Sequence, residues 1–304
     1  MADQAKAGWM GNDSSGGELK VHAFADGAAY ARQIARRLEV GFAPIKLHRF
    51  PDGESLVRVA PSAGRHAVLV RTLSDPNSKI FDTLLAADAL RHAGANRVSL
   101  IAPYLAYMRQ DKVFHRGEPI SQRVIGRLLG EAFDSVLTME PHLHRVKSLG
   151  EVIPCEASTV AVASAVARWV KREARRCVVV GPDGESRKFV EAIARAAEAE
   201  WIVGEKTRYG DRRVKIDFPR IPGVKHAVIV DDIASSGVTL AAAVRELRSH
   251  RIEPVDAVVV HALFAPGAMT LIRRAGARRV VSCDTIAHPT NAIKTASLFA
   301  EALR

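Results

Sequence analysis

The segment VIVDDIASSGVTLAAAV, residues 228–244, holds the strongest chemical signal in the chain. A short apolar run brings the backbone to a pair of carboxylates, Asp231 and Asp232, and then to Ser235, Ser236, Gly237 and Thr239. A helical pattern follows, with Leu240, Val244 and Leu247 on one face. This order predicts a polar loop between the carboxyl end of a strand and the amino end of a helix, where open α/β sheets bind ligands. Unpaired backbone N–H groups at a helix start accept phosphate. Ser236 and Thr239 can add hydroxyl donors, and Gly237 lets the backbone come close. The carboxylates suit sugar hydroxyls, met directly or through a divalent cation. Phosphate donors beside such carboxylates describe a site for a pentose phosphate.

Four further segments carry functional residue types. RFPDGES contributes Phe50, Asp52 and Glu54 around an Asp-Gly turn. PYLAYMRQDKVFHRGEPIS, residues 103–121, gathers Arg109, Gln110, Asp111 and Lys112 after an apolar strand. There Arg109 and Lys112 suit a polyphosphate, and Gln110 a base edge. TMEPHLH, residues 138–144, offers Glu140, His142 and His144. VVVGPDGESRKFVEAIA places Asp183 in a turn before a helix that carries Phe189, Ile193 and Ala197 on one face. Further on, GEKTRYGDRRVKI, residues 204–216, reads as a basic surface loop or hairpin, turning at Tyr209-Gly210-Asp211. Its Lys206 and Arg208 could close over a phosphoryl group and stabilise charge that builds on its oxygens.

Strands and helices in alternation must position these groups. VHAFAD, HAVLVRTL, RVSLIAP, SVLTME, CVVVGPD, HAVIVDD, AVVVHAL and VVSCDT read as strands, several of them apolar throughout, as strands covered on both faces are. Amphipathic patterns run from Gly27 to Leu38 and from Lys79 to His92. The predicted class is α/β with mainly parallel sheets covered by helices. The chain also repeats itself. HAVLVRTLSDPNSKIFDTLLAADALR, from His66, parallels HAVIVDDIASSGVTLAAAVRELR, from His226, and SVLTMEPH parallels RVVSCDTI. The first copy has Arg71-Thr72 where the second has Asp231-Asp232, so the acidic site belongs to one half.

The 304 residues suit two domains. Residues 1–18 read as a disordered leader without the apolar core of a secretory signal, 19–155 as the first domain and 156–304 as the second, with the last helix packing back on the first. No apolar run is long enough for a membrane helix. Three distant cysteines, Cys155, Cys177 and Cys283, form no metal or redox spacing, which points to a reducing, cytoplasmic setting. A net charge of +11 favours anionic partners. Nucleic acid is disfavoured, because a recognition motif is lacking and aromatic residues make up only 6%.

The 228–244 segment resembles the phosphoribosyl-pyrophosphate (PRPP) binding motif of type I phosphoribosyltransferases and PRPP synthetases. The other segments, in their order along the chain, resemble the ribose-phosphate pyrophosphokinase (PRPP synthetase) family. That resemblance implies two tandem type I phosphoribosyltransferase-like domains with the active site between them, and transfer of diphosphate from Mg-ATP to the 1-hydroxyl of ribose 5-phosphate. It implies ATP binding by Arg109, Gln110, Asp111, Lys112 and His142, with Phe50, Asp52 and Glu54 holding adenine, often across a subunit boundary. Ribose 5-phosphate would meet Asp183, Asp231, Asp232, Ser235, Ser236, Gly237 and Thr239. Mg²⁺ would meet His142 and Asp183, and Lys206 and Arg208 would be the catalytic cations. A homodimer or larger homo-oligomer is implied. Glu140-Pro141 and Gly184-Glu185-Ser186 depart from the usual family pattern, the latter toward an archaeal-like branch. The alternatives are a non-catalytic regulatory homologue, or a phosphoribosyltransferase that consumes PRPP.

Overall fold

The computed structural model describes residues 19–143, 145–208, 214–219 and 223–304. The leader, His144 and the predicted turn at Tyr209-Gly210-Asp211 lie outside them. The chain forms two compact units, one running up to Val160 and resuming at Ala296–Arg304, the other comprising Ala161–Thr295.

The first unit contains β1 (Leu19–Phe24), α1 (Ala28–Leu38), β2 (Gly41–Arg49), β3 (Ser55–Arg58), β4 (His66–Val70), α2 (Pro76–His92), β5 (Arg97–Ala102), α3 (Ser121–Ala132), β6 (Ser135–Met139) and β7 (Glu156–Val160). Its sheet has the order β3-β2-β1-β4-β5-β6-β7. All neighbours are parallel except the β2–β3 hairpin. The central strands are buried on both faces by Val68, Leu69, Leu100, Ile101, Val136 and Leu137. Each such side chain contributes roughly 1.5–3 kcal/mol through burial, which explains why these strands read as continuous apolar runs.

The second unit contains α4 (Ala163–Glu173), β8 (Cys177–Gly181), α5 (Arg187–Ala197), β9 (Glu200–Val203), β10 (Glu205–Arg208), β11 (Val214–Asp217), β12 (His226–Ala234), α6 (Val238–Ser249), β13 (Val255–Ala262), α7 (Ala268–Arg274), β14 (Arg279–Cys283) and β15 (Asn291–Ile293). Its main sheet has the order β15-β14-β13-β12-β8-β9, all parallel. Strands β10 and β11 form a separate antiparallel pair. The last helix, α8 (Ala296–Ala302), returns to the first unit and packs on α1 and β7, with Phe299 edge-on to Tyr30.

The two sheets share one plan. Read from β2 to β7, the first matches the second from β9 to β15, so that β1 answers to β8, β4 to β12 and β5 to β13. The repeat visible in the sequence is thus a repeat of topology. Two local expectations change. Helix α2 is not simply amphipathic: Phe81 and Leu85 are exposed, while Asp82 and Thr83 are buried. The acidic pair does not follow β12 but lies within it, since the strand continues to Ala234.

Candidate active site

In the second unit the polar groups gather at the carboxyl ends of β8 and β12. Backbone chemistry fixes each end. After β8 the chain makes a tight turn, in which Asp183 accepts from Ser186 N at 3.3 Å and Ser186 Oγ donates to the Asp183 carbonyl at 2.6 Å. A Cβ on Gly181 would lie 2.2 Å from Ser186 Oγ and 2.7 Å from Val190 Cγ2, so only glycine permits this turn to fold so tightly on its helix.

After β12, Ser235 accepts from Ala265 N at 2.9 Å, and Gly237 takes the left-handed conformation (φ +75°) that starts α6. An L side chain is strained at that angle. Ser236 is exposed, and Ser235 and Thr239 are half-buried. Among the described contacts, the Ser236 hydroxyl reaches only Val238 N, at 3.5 Å. The loop therefore presents hydroxyls and helix-start amides, as an anion site requires.

Asp231 and Asp232 are half-buried on β12, and Asp232 N donates to Asp231 Oδ1 at 3.1 Å. Burial, with the neighbouring charges of Asp232 and Asp183, pushes the Asp231 carboxyl well above the usual carboxylate range, and Lys206 acts against that rise. Lys206 Nζ is 2.9 Å from Asp183 Oδ2, with side-chain exposures of 13% and 19%. The predicted basic hairpin exists: Lys206 pairs with Ile216 and Arg208 with Val214 across β10 and β11. Asp183, Lys206, Asp231 and Asp232 thus form one electrostatic cluster.

The first unit carries the remaining predicted residues. Phe50, Asp52 and Glu54 are exposed at the tip of the β2–β3 hairpin. Phe50 N donates to Glu54 O and Gly53 N to Phe50 O, both at 2.9 Å, and Glu54 N donates to Asp52 Oδ1 at 3.1 Å. The Phe50 ring stands edge-on to His48. Arg109 and Lys112 are exposed, with Lys112 Nζ 5.2 Å from the Phe114 ring centre. Gln110 braces its own loop, since Nε2 donates to Pro119 O at 3.0 Å and Oε1 accepts from Ser121 Oγ. Asp111 lies 3.6 Å from Arg145 Nε. Glu118 accepts from Phe114 N, His115 N and His115 Nδ1. The His115 bond draws its carboxyl below the usual range. His142 is half-buried just past β6.

Sequence reading missed the residue beneath the hairpin. Asp82, fully buried on α2, accepts from Arg49 and Ser55, the residues that flank the tip. Its signal was a lone acid on the buried face formed by Ile80, Thr83, Ala86 and Leu90.

Two family models cover most of the chain: the N-terminal domain of ribose phosphate pyrophosphokinase over residues 19–132, and the phosphoribosyl transferase domain over residues 156–298. A ribose-phosphate pyrophosphokinase of Methanopyrus kandleri is 32% identical over 93% of this chain and 98% of its own length. The chain belongs to the ribose-phosphate pyrophosphokinase family. Another member, from Pyrococcus furiosus, is 31% identical over 82% of this chain and 88% of its own length. The fold is that of phosphoribosylpyrophosphate synthetase from Mycobacterium smegmatis, with a TM-score of 0.79 over 94% of this chain and 97% of that one.

Ribose-phosphate pyrophosphokinases generally use Mg²⁺. The donor chemistry fits a hard cation: Asp183, Asp231 and Asp232 are oxygen donors, and burial together with the charges of its two neighbours raises the Asp231 carboxyl. Among the described residues, no three His, Cys, Asp or Glu side chains converge as a cage for a metal.

Proposed function

We propose that this chain is a ribose-phosphate diphosphokinase, transferring the diphosphoryl group of ATP to the 1-hydroxyl of ribose 5-phosphate and releasing AMP. The observation that carries the reading is the cluster of Lys206, Asp183, Asp231 and Asp232 beside a phosphate-accepting helix start. A phosphoribosyltransferase has use for that loop, but not for the basic hairpin together with a second α/β unit carrying Arg109 and Lys112. A purely regulatory homologue has no need of Lys206 and the acidic pair.

Ribose 5-phosphate places its phosphate on the amides and hydroxyls of residues 235–239. Its ring hydroxyls meet Asp231 and Asp232. ATP lies on the first unit against Arg109, Lys112 and His142, with Phe50, Asp52 and Glu54 at adenine. Mg²⁺, when bound, would spread the polyphosphate charge, with His142 on the first unit and Asp183 on the second as candidate ligands. The sugar hydroxyl attacks the β-phosphorus in line. Lys206 exchanges its Asp183 partner for a phosphoryl oxygen, and Arg208 adds the second cation. Asp231 and Asp232 orient the sugar, and the proton of the attacking hydroxyl leaves to water as the bond to phosphorus forms.

The exposed apolar side chains Leu47, Leu56, Phe81, Leu85, Val124 and Leu128 all lie on β2, β3, α2 and α3 of the first unit. They support self-association into a homo-oligomer through that surface. We infer a cytoplasmic location from the family; among the described residues no helix is long and apolar enough to cross a membrane.

The reading is tested by AMP release from Mg-ATP with and without ribose 5-phosphate. AMP and PRPP should appear together, in equal amounts, only when both substrates are present. Purified protein that binds ATP yet releases no AMP with ribose 5-phosphate would defeat it.

A further inference from the structure

The hairpin tip at residues 50–54 is exposed and short, and the registered pairing of β2 with β1 ends at Ile45, well before it. A further tie comes from α2. Asp82 has no exposed surface and accepts from Arg49 Nη2 at 2.8 Å, from Ser55 Oγ at 2.8 Å and from Arg71 Nη2 at 3.4 Å. Arg49 Nη1 also donates to Ser55 Oγ, which closes the hairpin base into a ring around one carboxylate.

Arg71 explains why a bare carboxylate is tolerated there. Its guanidinium is 4% exposed and lies 3.8 Å from the Phe24 ring centre and 3.8 Å from Asp26, and among the described residues its Nε and Nη1 have no hydrogen-bond partner. Lys79 Nζ in turn sits 3.3 Å from Asp26. Arg71 directly follows β4, as Asp231 follows the equivalent residues of β12, and Asp26 follows β1 as Asp183 follows β8. The place that holds a carboxylate cluster with one lysine in the second unit is therefore filled, in the first, by the protein's own ion pairs. The first copy uses this position as an anchor.

We propose that Asp82 is a positioning residue for the nucleotide: through Arg49 and Ser55 it sets the hairpin from which Phe50, Asp52 and Glu54 meet adenine. The inference rests on the assignment of those three residues to adenine. Charge-assisted hydrogen bonds of this kind are strong, and their loss frees the base of a loop whose tip is otherwise held by local contacts among residues 48–54.

Two measurements on the full chain separate the inference from the assignment beneath it. The first is amide hydrogen exchange at Phe50 and Gly53 in Asp82→Asn, Asp82→Glu and Ser55→Ala. Asp82→Asn and Ser55→Ala should speed exchange at both amides, and Asp82→Glu should restore it in part. Unchanged protection in correctly folded Asp82→Asn and Ser55→Ala overturns the positioning role. Ser55→Ala removes one bond and no charge, so it keeps the test open should Asp82→Asn fail to fold. The second is steady-state kinetics with Phe50→Ala as the reference. The KM for ATP should rise roughly tenfold in Asp82→Asn, with kcat and the KM for ribose 5-phosphate unchanged. If Phe50→Ala raises the KM for ATP and the Asp82 and Ser55 variants do not, the inference fails. If Phe50→Ala itself leaves that KM unchanged, the adenine assignment fails, and hydrogen exchange alone decides whether Asp82 orders the hairpin.

Discussion

Lys206 and Asp183 are 23 residues apart in the chain and 2.9 Å apart in space, joining the basic hairpin to the end of β8. Asp183 also acts on Asp231. Under the proposed reaction, the ammonium is held on a carboxylate of the same site and would exchange that partner for a phosphoryl oxygen.

Replacing that ammonium tests its role in the transition state. Lys206→Ala should lower kcat by roughly 10²–10³, the usual effect of removing a group that stabilises developing charge. Binding of ATP and ribose 5-phosphate, measured by calorimetry, should survive. Turnover at the unmodified rate would remove the hairpin from the mechanism.

Gly237 offers a separate test of the loop. Its φ of +75°, and the 3.1 Å approach of an added Cβ to Ala268 O and Ile272, make Gly237→Ala unfavourable by about 1–2 kcal/mol. The KM for ribose 5-phosphate should rise more than that for ATP. A variant as stable as the parent with both KM values unchanged would show that the loop tolerates another backbone.

The opposite end of the second sheet predicts behaviour in acid. Asp256 is fully buried and accepts from Arg278, Arg279 and His226. Burial alone would raise its carboxyl, but these bonds prevail and draw it down to about 2. Its folded value lies below its unfolded one. The stabilisation is therefore complete above about pH 4, the ordinary range of a free aspartate, and is lost as pH falls toward 2, amounting to roughly 2 kcal/mol. Thermal melts across that window should show a steeper acid loss in the parent than in Asp256→Asn. Parallel curves would contradict the assignment.

The apolar surface of the first unit leads to an assembly prediction. Phe81 is 65% exposed on α2. Phe81→Glu should lower the mass measured by light scattering at micromolar concentration while leaving the fold intact. An unchanged mass would exclude this face as the main subunit contact.

Much of this was legible in the sequence because periodicity and composition carry it. The buried strands appear as apolar runs, and the 228–244 loop shows its acids, hydroxyls and glycine in one continuous segment. The β2–β3 hairpin was not legible: Lys46, His48, Arg49 and Arg58 make it look like loop, since it is an edge ribbon with little buried surface. Asp82 escaped for another reason. A buried acid is explained only by partners 33 and 27 residues away, and no local pattern records them. The bonds that Gln110 makes to Pro119 and to Ser121 at the start of α3 escaped for the same reason, since no periodicity records them.

The return of α8 to the first unit has a consequence for biosynthesis. Phe299 is fully buried there, and Arg304 donates to the Arg37 carbonyl on α1. The unit made first on the ribosome therefore lacks part of its core until the entire second unit has been translated. The second unit can close as soon as Thr295 has emerged. Domains usually fold in the order of their synthesis, but here the first unit can complete its core only when the last helix of the chain is available.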